Sequence, residues 1–310
     1  MSNPAPPPAS RRSPLRTLGA CLWEGLIDTG SWSEKENFSW LEILKRTATY
    51  RLAGIGVARR PNEKRLLGLR KAHAGERAFL IGNGPSLNKC DLSLLKNETT
   101  FAVNNIYLNY DRMGFHPTYY VVEDMLIAED RAGQINAYHG PRVKFFGNYL
   151  RYCLQDDPDV IWINVRFLYT DYPGFPRFSR NAARMLWVGG TVTYLCMQLA
   201  YYMGFRELYL VGFDHSYKIP PDAAVDRGRG EITSRGEDPN HFDPGYFGKG
   251  YRWHDPMVER MEAAYRRAGE VFAADGRKIW NATAGGYLDV FERVRYEDLF
   301  PARTKEAGRE

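Results

Sequence analysis

The feature that most constrains this chain is a series of short apolar runs that do not alternate, beginning abruptly at Arg77. They are Ala78 to Ile81, Thr100 to Val103, Tyr119 to Val122, Val143 to Phe146, Val160 to Ile163, Glu207 to Val211 and Lys278 to Trp280. A strand that faces water on one side alternates apolar and polar residues, so runs of four or five apolar residues with sharp polar ends suit strands buried on both faces. Helical stretches lie between them. Thr191 to Met203 is apolar nearly all round, with Gly204 in the place of a left-handed cap. Asp255 and Pro256 read as N-cap and first helical residue of a helix whose stripe is Met257, Met261, Ala264, Tyr265, Ala268 and Phe272, closed by Gly276. Alternating strand and helix predicts an α/β fold with a mainly parallel sheet and helices on both faces. In such sheets ligands bind beyond the carboxyl ends of the strands. No internal repeat is present.

Ahead of this pattern the chain has another character. Pro4, Pro6, Pro7, Pro8 and Pro14 mark residues 1–14 as a disordered tail. Residues 15–76 read as a broken helical extension, with Leu15, Leu18, Cys21, Leu22 and Leu26 recurring at threes and fours before Gly30 interrupts. The whole chain carries a net charge of +5, yet residues 41–77 alone hold ten Lys or Arg against Glu42, Glu63 and Glu76, a local +7. A solvated helix face explains that, as does contact with an anionic membrane surface. Nothing resembling an RRM, zinc finger or helix-turn-helix accompanies the charge, which argues against a nucleic-acid partner. Cys21, Cys90, Cys153 and Cys196 are far apart and form no CxxC pair, so a zinc ribbon, redox dithiol or disulfide scaffold is not expected. With neither a spanning apolar run nor a secretory leader, the expected location is cytoplasmic, at most peripheral to the inner face of a membrane.

The strand ends carry the chemistry. After the first strand comes Gly82-Asn83-Gly84-Pro85-Ser86-Leu87, whose glycines permit close backbone approach and whose N–H groups could cradle a phosphate. It matches neither GxGxxG nor GxxxxGK[ST], and a purely structural turn is the alternative. The second strand ends in Asn104-Asn105, able to read a base edge or ribose hydroxyl or to cap a loop, and the third in Glu123-Asp124, able to bind ribose or an acceptor hydroxyl or to cap a helix. Gly189-Gly190-Thr191 opens the apolar helix as an anion site. Asp214 ends the sixth run, and Asn281 ends the last in a polar, Gly-rich turn. From Ser216 to Asp255 periodicity fades, as in a functional lid, within which His241-Phe242, Lys249 and Arg252 concentrate imidazole, aromatic rings and cations. An imidazole is the usual base for a hydroxyl at neutral pH, and a cation or phenol can steady a departing phosphate; a hydrogen-bonding surface histidine is the alternative. His215, His241 and His254 lack the spacing of a zinc signature, so no metal site is expected.

These segments, in this order and with Met203 to Asp214 and Asn240-His241-Phe242 among them, resemble the bacterial domain family named after the archaeal 6-hydroxymethylpterin diphosphokinase (MptE-like), and also the bacterial family 42 sialyltransferases. The resemblance covers residues 77–298. It implies a Rossmann-like transferase domain with a lid at about 216–255, followed by a C-terminal tail, 299–310. From the sialyltransferases it implies that Gly82, Asn83, Gly84, Pro85, Ser86 and Asn104 or Asn105 hold a CMP moiety and that Gly190 and Thr191 face the nucleotide. It further implies His241 as catalytic base and Tyr217 as partner of the leaving phosphate. The expectation is transfer of a sialic-acid-like sugar from a CMP-sugar to a hydroxyl of a surface glycan, with no cofactor. The alternatives are an Mg-ATP-dependent diphosphokinase, using Glu123, Asp124 and Asp214, and a nucleotide-binding module without turnover.

Overall fold

In the computed structural model, residues 38–167, 174–226, 228 and 230–300 are described. The tail 1–14 expected to be disordered, the part of the expected helical extension before residue 38 and the residues beyond 300 lie outside them, as does Cys21. Two helices open the described chain, α1 (Trp40–Gly54) and α2 (Pro61–Gly68). Ser39 and Glu42 begin α1 with a reciprocal capping box, and Pro61 opens α2 at its first turn, where its missing N–H costs nothing.

Each apolar run then becomes a strand. β1 (Arg77–Ile81) and β2 (Thr100–Val103) are followed by the single turn α3 (Tyr110–Met113), β3 (Tyr119–Val122), the short helices α4 (Met125–Asp130) and α5 (Ala132–Ala137), β4 (Val143–Gly147) and β5 (Val160–Ile163). β6 (Val165–Arg166) and β7 (Leu186–Trp187) form a separate parallel ribbon. Next come α6 (Val192–Met203), β8 (Glu207–Val211), β9 (Ala224–Asp226), β10 (Glu231–Thr233), β11 (Arg252–His254), α7 (Val258–Ala274) and β12 (Lys278–Asn281). The seven-stranded sheet has the order β12-β8-β1-β2-β3-β4-β5, and every adjacent pair is parallel. It is the Rossmann-like arrangement expected. The chain steps outward from β1 to β5, then returns to lay β8 on the other side of β1. Strand order therefore reverses between β1 and β8, and crossovers leave there in opposite directions, opening a crevice at the carboxyl ends.

All twelve residues of α6 are buried, because the helix lies between the middle strands β1 to β3 and α7. Truncating one of its fully enclosed side chains, Leu195→Ala, would cost about 2–5 kcal/mol. Its one amide, Gln198, is satisfied by accepting from the Ser179 and Trp187 N–H groups and donating to the Trp187 and Tyr194 carbonyls. Gly204, at φ 95°, caps its end as the sequence implies, and Thr191, read there as part of an anion site, caps its start.

Two details differ from that reading. α7 starts at Val258 instead of Pro256: the N-cap position falls to Met257, the Val258 N–H turns back to the Pro256 carbonyl at 3.1 Å, and the Asp255 N–H bonds the Gly230 carbonyl at 3.0 Å. The stretch 216–255 is also not without secondary structure: β9, β10 and β11 form a small antiparallel sheet. Among the described residues, no helix is long and apolar enough to cross a membrane, and Cys90, Cys153 and Cys196 are free thiols.

Candidate functional site

A cleft of about 1150 Å³ opens at the carboxyl rim of the sheet, over the β1/β8 switch point. Its floor is the Gly82–Gly84 bend after β1, Asn104 after β2, Glu123 and Asp124 after β3, and Gly212 to Tyr217 after β8; α6 adds Gly190 and Thr191, and the 216–257 stretch covers it with His241, Tyr246 and Trp253.

The bend is built by close approach of two strand ends. Gly84 N–H bonds the Gly212 carbonyl at 2.9 Å, a Cβ on Gly82 would press on that same carbonyl, and one on Gly84 would overlap the Asp214 carboxylate. Asp214 accepts from the Ser86 N–H (3.2 Å) and hydroxyl (2.6 Å), so the two turns are clasped. Ser86 and Asp214 thus hold the rim in shape, while Pro85 opens the short turn behind it. Asn281 has a similar supporting role after β12: it is fully buried, donating to the Leu288 carbonyl and accepting from the Thr283 N–H. Gly189 admits the Ala264 and Tyr194 side chains instead of a ligand.

Two amides do look into the cleft with capacity to spare. Asn83 donates to the Val103 carbonyl and the Tyr246 hydroxyl, and its buried Oδ1 has no partner. Asn104 sits at φ 50°, rare for a residue with a Cβ, and its Oδ1 is likewise buried and unpartnered. Orphaned buried acceptors are uncommon, and here both line one cavity, where the amino or hydroxyl donors of a ligand would satisfy them. Asn105 points elsewhere. It is wholly buried and props the lid through Tyr246.

The lid is seated on the bend. The Phe242 N–H bonds the Asn83 carbonyl at 2.9 Å, and the Asn88 side chain bonds the Phe242 carbonyl. One residue before, the His241 ring stacks on Tyr246 at 3.9 Å and places Nδ1 2.6 Å from Oδ2 of Asp238. Asp238 is itself buried and fixed by the Asn240 and Phe247 N–H groups. A carboxylate so held selects the tautomer with the proton on Nδ1, leaving Nε2 as the basic nitrogen. From α5's N-cap, the buried Arg131 donates to the Gly245 and Tyr246 carbonyls.

The other residues singled out in the sequence fall in different places. Tyr217 lines the cleft and is 38% exposed overall, with its hydroxyl 3.8 Å from the Met261 sulfur and withdrawn from water, which suppresses its acidity. Glu123 is pushed up to about 8, first by burial and then by the charge of Asp124. Asp124 caps α4 by accepting from Leu126 and Ile127 N–H, and lies 3.7 Å from His254. Lys249 is exposed and outside the cleft. Arg252 is outside it too, because Asp130 and Glu129 on α4 engage its guanidinium. Among the described residues, the arginine that lines the cleft is instead Arg260 on α7, whose side chain packs over Gly190. Asp238, Arg131 and Arg260 were not apparent from sequence; the three-residue step from Asp238 to His241 was the one local signal. Among the described residues no three His, Cys, Asp or Glu side chains converge as metal ligands.

A family model described as 6-hydroxymethylpterin diphosphokinase MptE-like matches residues 57–220. The match takes in the Gly82–Ser86 bend, both asparagines, the α6 N-terminus and Asp214, and ends before the lid histidine. No curated protein matches the chain.

Proposed function

The chain belongs to the 6-hydroxymethylpterin diphosphokinase MptE-like family, and from that premise we propose that it is a glycosyltransferase using a nucleotide-activated donor, a CMP-sugar. The acceptor is a hydroxyl of a glycan. The observation that carries this reading is that the Phe242 N–H seats the lid on the bend after β1, with His241, oriented by Asp238, as the adjacent residue.

In this mechanism Asn83 and Asn104 take the nucleotide's donors, and Arg260 with the Gly190–Thr191 start of α6 faces its phosphate. His241 Nε2 accepts the proton of the acceptor hydroxyl as its oxygen bonds the anomeric carbon, and the bond from that carbon to the phosphate oxygen breaks. Asp238 stabilises the imidazolium; Arg260 and the Tyr217 phenol meet the charge left on the departing CMP. The proton ends on His241 and the electron pair on the phosphate.

Pyrophosphoryl transfer from Mg-ATP is the second reading, favoured by the family's description and by the Glu123–Asp124 pair in the cleft. There the same histidine would deprotonate the hydroxyl, which attacks the β-phosphorus and releases AMP. Thermal shift against CMP, CDP, UDP, GDP and ATP, with and without Mg²⁺, separates the two. The expectation is stabilisation by CMP without metal, and release of CMP from a CMP-sugar that EDTA does not stop. His241→Ala should lower turnover by about 10²- to 10⁴-fold and leave the CMP shift intact. Release of AMP that stops with EDTA would replace the sugar reading with the second one, and turnover indifferent to His241 would end both.

A further inference from the structure

We infer that α1 and the basic segment after it form a docking surface for an anionic lipid bilayer. α1 turns one face inward, burying Ile43, Thr47, Tyr50 and Ala53, and is fastened to the sheet by the Tyr50 hydroxyl on the Trp162 carbonyl (2.9 Å) and Arg46 on the Asn148 carbonyl (3.2 Å). That stripe satisfies its packing needs. On the opposite face lies a second one: Leu41, Leu44, Ala48, Leu52 and Ile55 follow one another at steps of three and four, which at about 100° per residue keeps them within roughly a quarter of the circumference. They are in the open, with Leu41 61% and Ile55 77% exposed and Val57 continuing the patch. A helix apolar on both sides is expected only where something covers each side.

Charge selects the occupant. Lys45, Arg59, Arg60, Lys64, Arg70 and Lys71 are exposed around and beyond the stripe. Of the three acidic residues in the same segment, Glu63 is buried, Glu42 is engaged by the Ser39 cap, and the exposed Glu76 is bonded to His73 at 2.7 Å. A second copy of the chain would set this basic surface against its equal. An anionic bilayer offers what both features require, acyl chains for the stripe and negative headgroups for the cations around it. α1, at 15 residues, is about 22 Å long, suited to lying in the interface. Asn148 directly follows β4, so the docked helix adjoins the rim on which the cleft opens.

The test is co-sedimentation of the full chain with phosphatidylcholine vesicles, with or without about one-third phosphatidylglycerol, at low and high salt. Binding to the anionic vesicles at low salt should exceed binding to the neutral ones by at least about tenfold. Leu44→Asp with Ile55→Asp should weaken it by about tenfold or more, and Arg59→Glu with Arg60→Glu should remove the preference for anionic lipid. Both double variants alter exposed side chains, and unchanged melting temperatures would confirm that they fold. A wild-type chain that stays in solution with anionic vesicles overturns the proposal. So does undiminished binding by the Leu44/Ile55 variant, or a wild-type dimer that this variant disperses.

Discussion

The two walls of the cleft are made in opposite ways. On the sheet side, position follows from backbone: Gly82, Gly84 and Gly212 let two strand ends touch, and Asp214 locks them through Ser86. On the lid side, position follows from side chains reaching across the chain, with Arg131 holding the Gly245 and Tyr246 carbonyls and Arg252 holding Asp130. A wall made of close-packed backbone tolerates almost no added atom. One held by peripheral polar ties can lose a tie and survive.

The largest effect expected from this contrast is at Gly84. Gly84→Ala drives a methyl into the Asp214 carboxylate, opens the clasp and should reduce nucleotide affinity by about 100-fold with a clear fall in melting temperature. Gly248→Ala in the lid, where an added Cβ comes within 3.3 Å of Gly245, should change either quantity little. Titration calorimetry on the pair reads both, and equal losses would erase the distinction. Next in size is Asp238→Asn, which removes the negative charge beside Nδ1 and turns one of the two acceptor oxygens into an NH2 donor. Turnover should fall by roughly ten- to a hundredfold while nucleotide binding is kept, as single-turnover kinetics would show.

Arg252→Ala comes third. Its ion pairs with Glu129 and Asp130 are partly exposed, worth about 1 kcal/mol or less each, so its loss should loosen β11, raise KM a few-fold and speed proteolysis of the lid while sparing kcat. A hundredfold fall in kcat would return Arg252 to the leaving group.

Smallest is a pH effect at Glu123. Its folded pKa of about 8 lies above the usual 4.5, so the folded protein holds a proton that the unfolded chain has lost between those values. This carboxyl therefore makes stability decline as pH rises from about 4.5 to 8, and level off above. Glu123→Gln should flatten that slope and raise the melting temperature at pH 8 by on the order of 2 °C or more, with little change near pH 4. Denaturation curves across that range check it.

Which parts were legible in the sequence follows the same division. Strands buried on both faces announce themselves as continuous apolar runs, and all seven of those runs form the sheet. Gly82 to Ser86 and Gly204 are visible because turn and cap chemistry is local. The three-residue strands β9, β10 and β11 show no periodicity to read, since β9 is exposed throughout and the other two bury only their middle residue. Arg131 meets residues more than a hundred positions away, and Arg260 reaches Gly190 from another helix. Neither leaves a local pattern. Asp255-Pro256 is a good local capping pair that the helix nonetheless does not use, starting two residues later behind Met257.

The bond from Phe242 to Asn83 links the proposed base, one residue away, to the floor beneath it. Lifting His241 away means tearing hydrogen bonds from the very loop that would cradle a phosphate. Entry by swinging the cover upward would therefore dismantle both halves of the machinery at once. On the proposed reading, reactants enter without that lift, and turnover in such a molecule would not wait on a flapping roof.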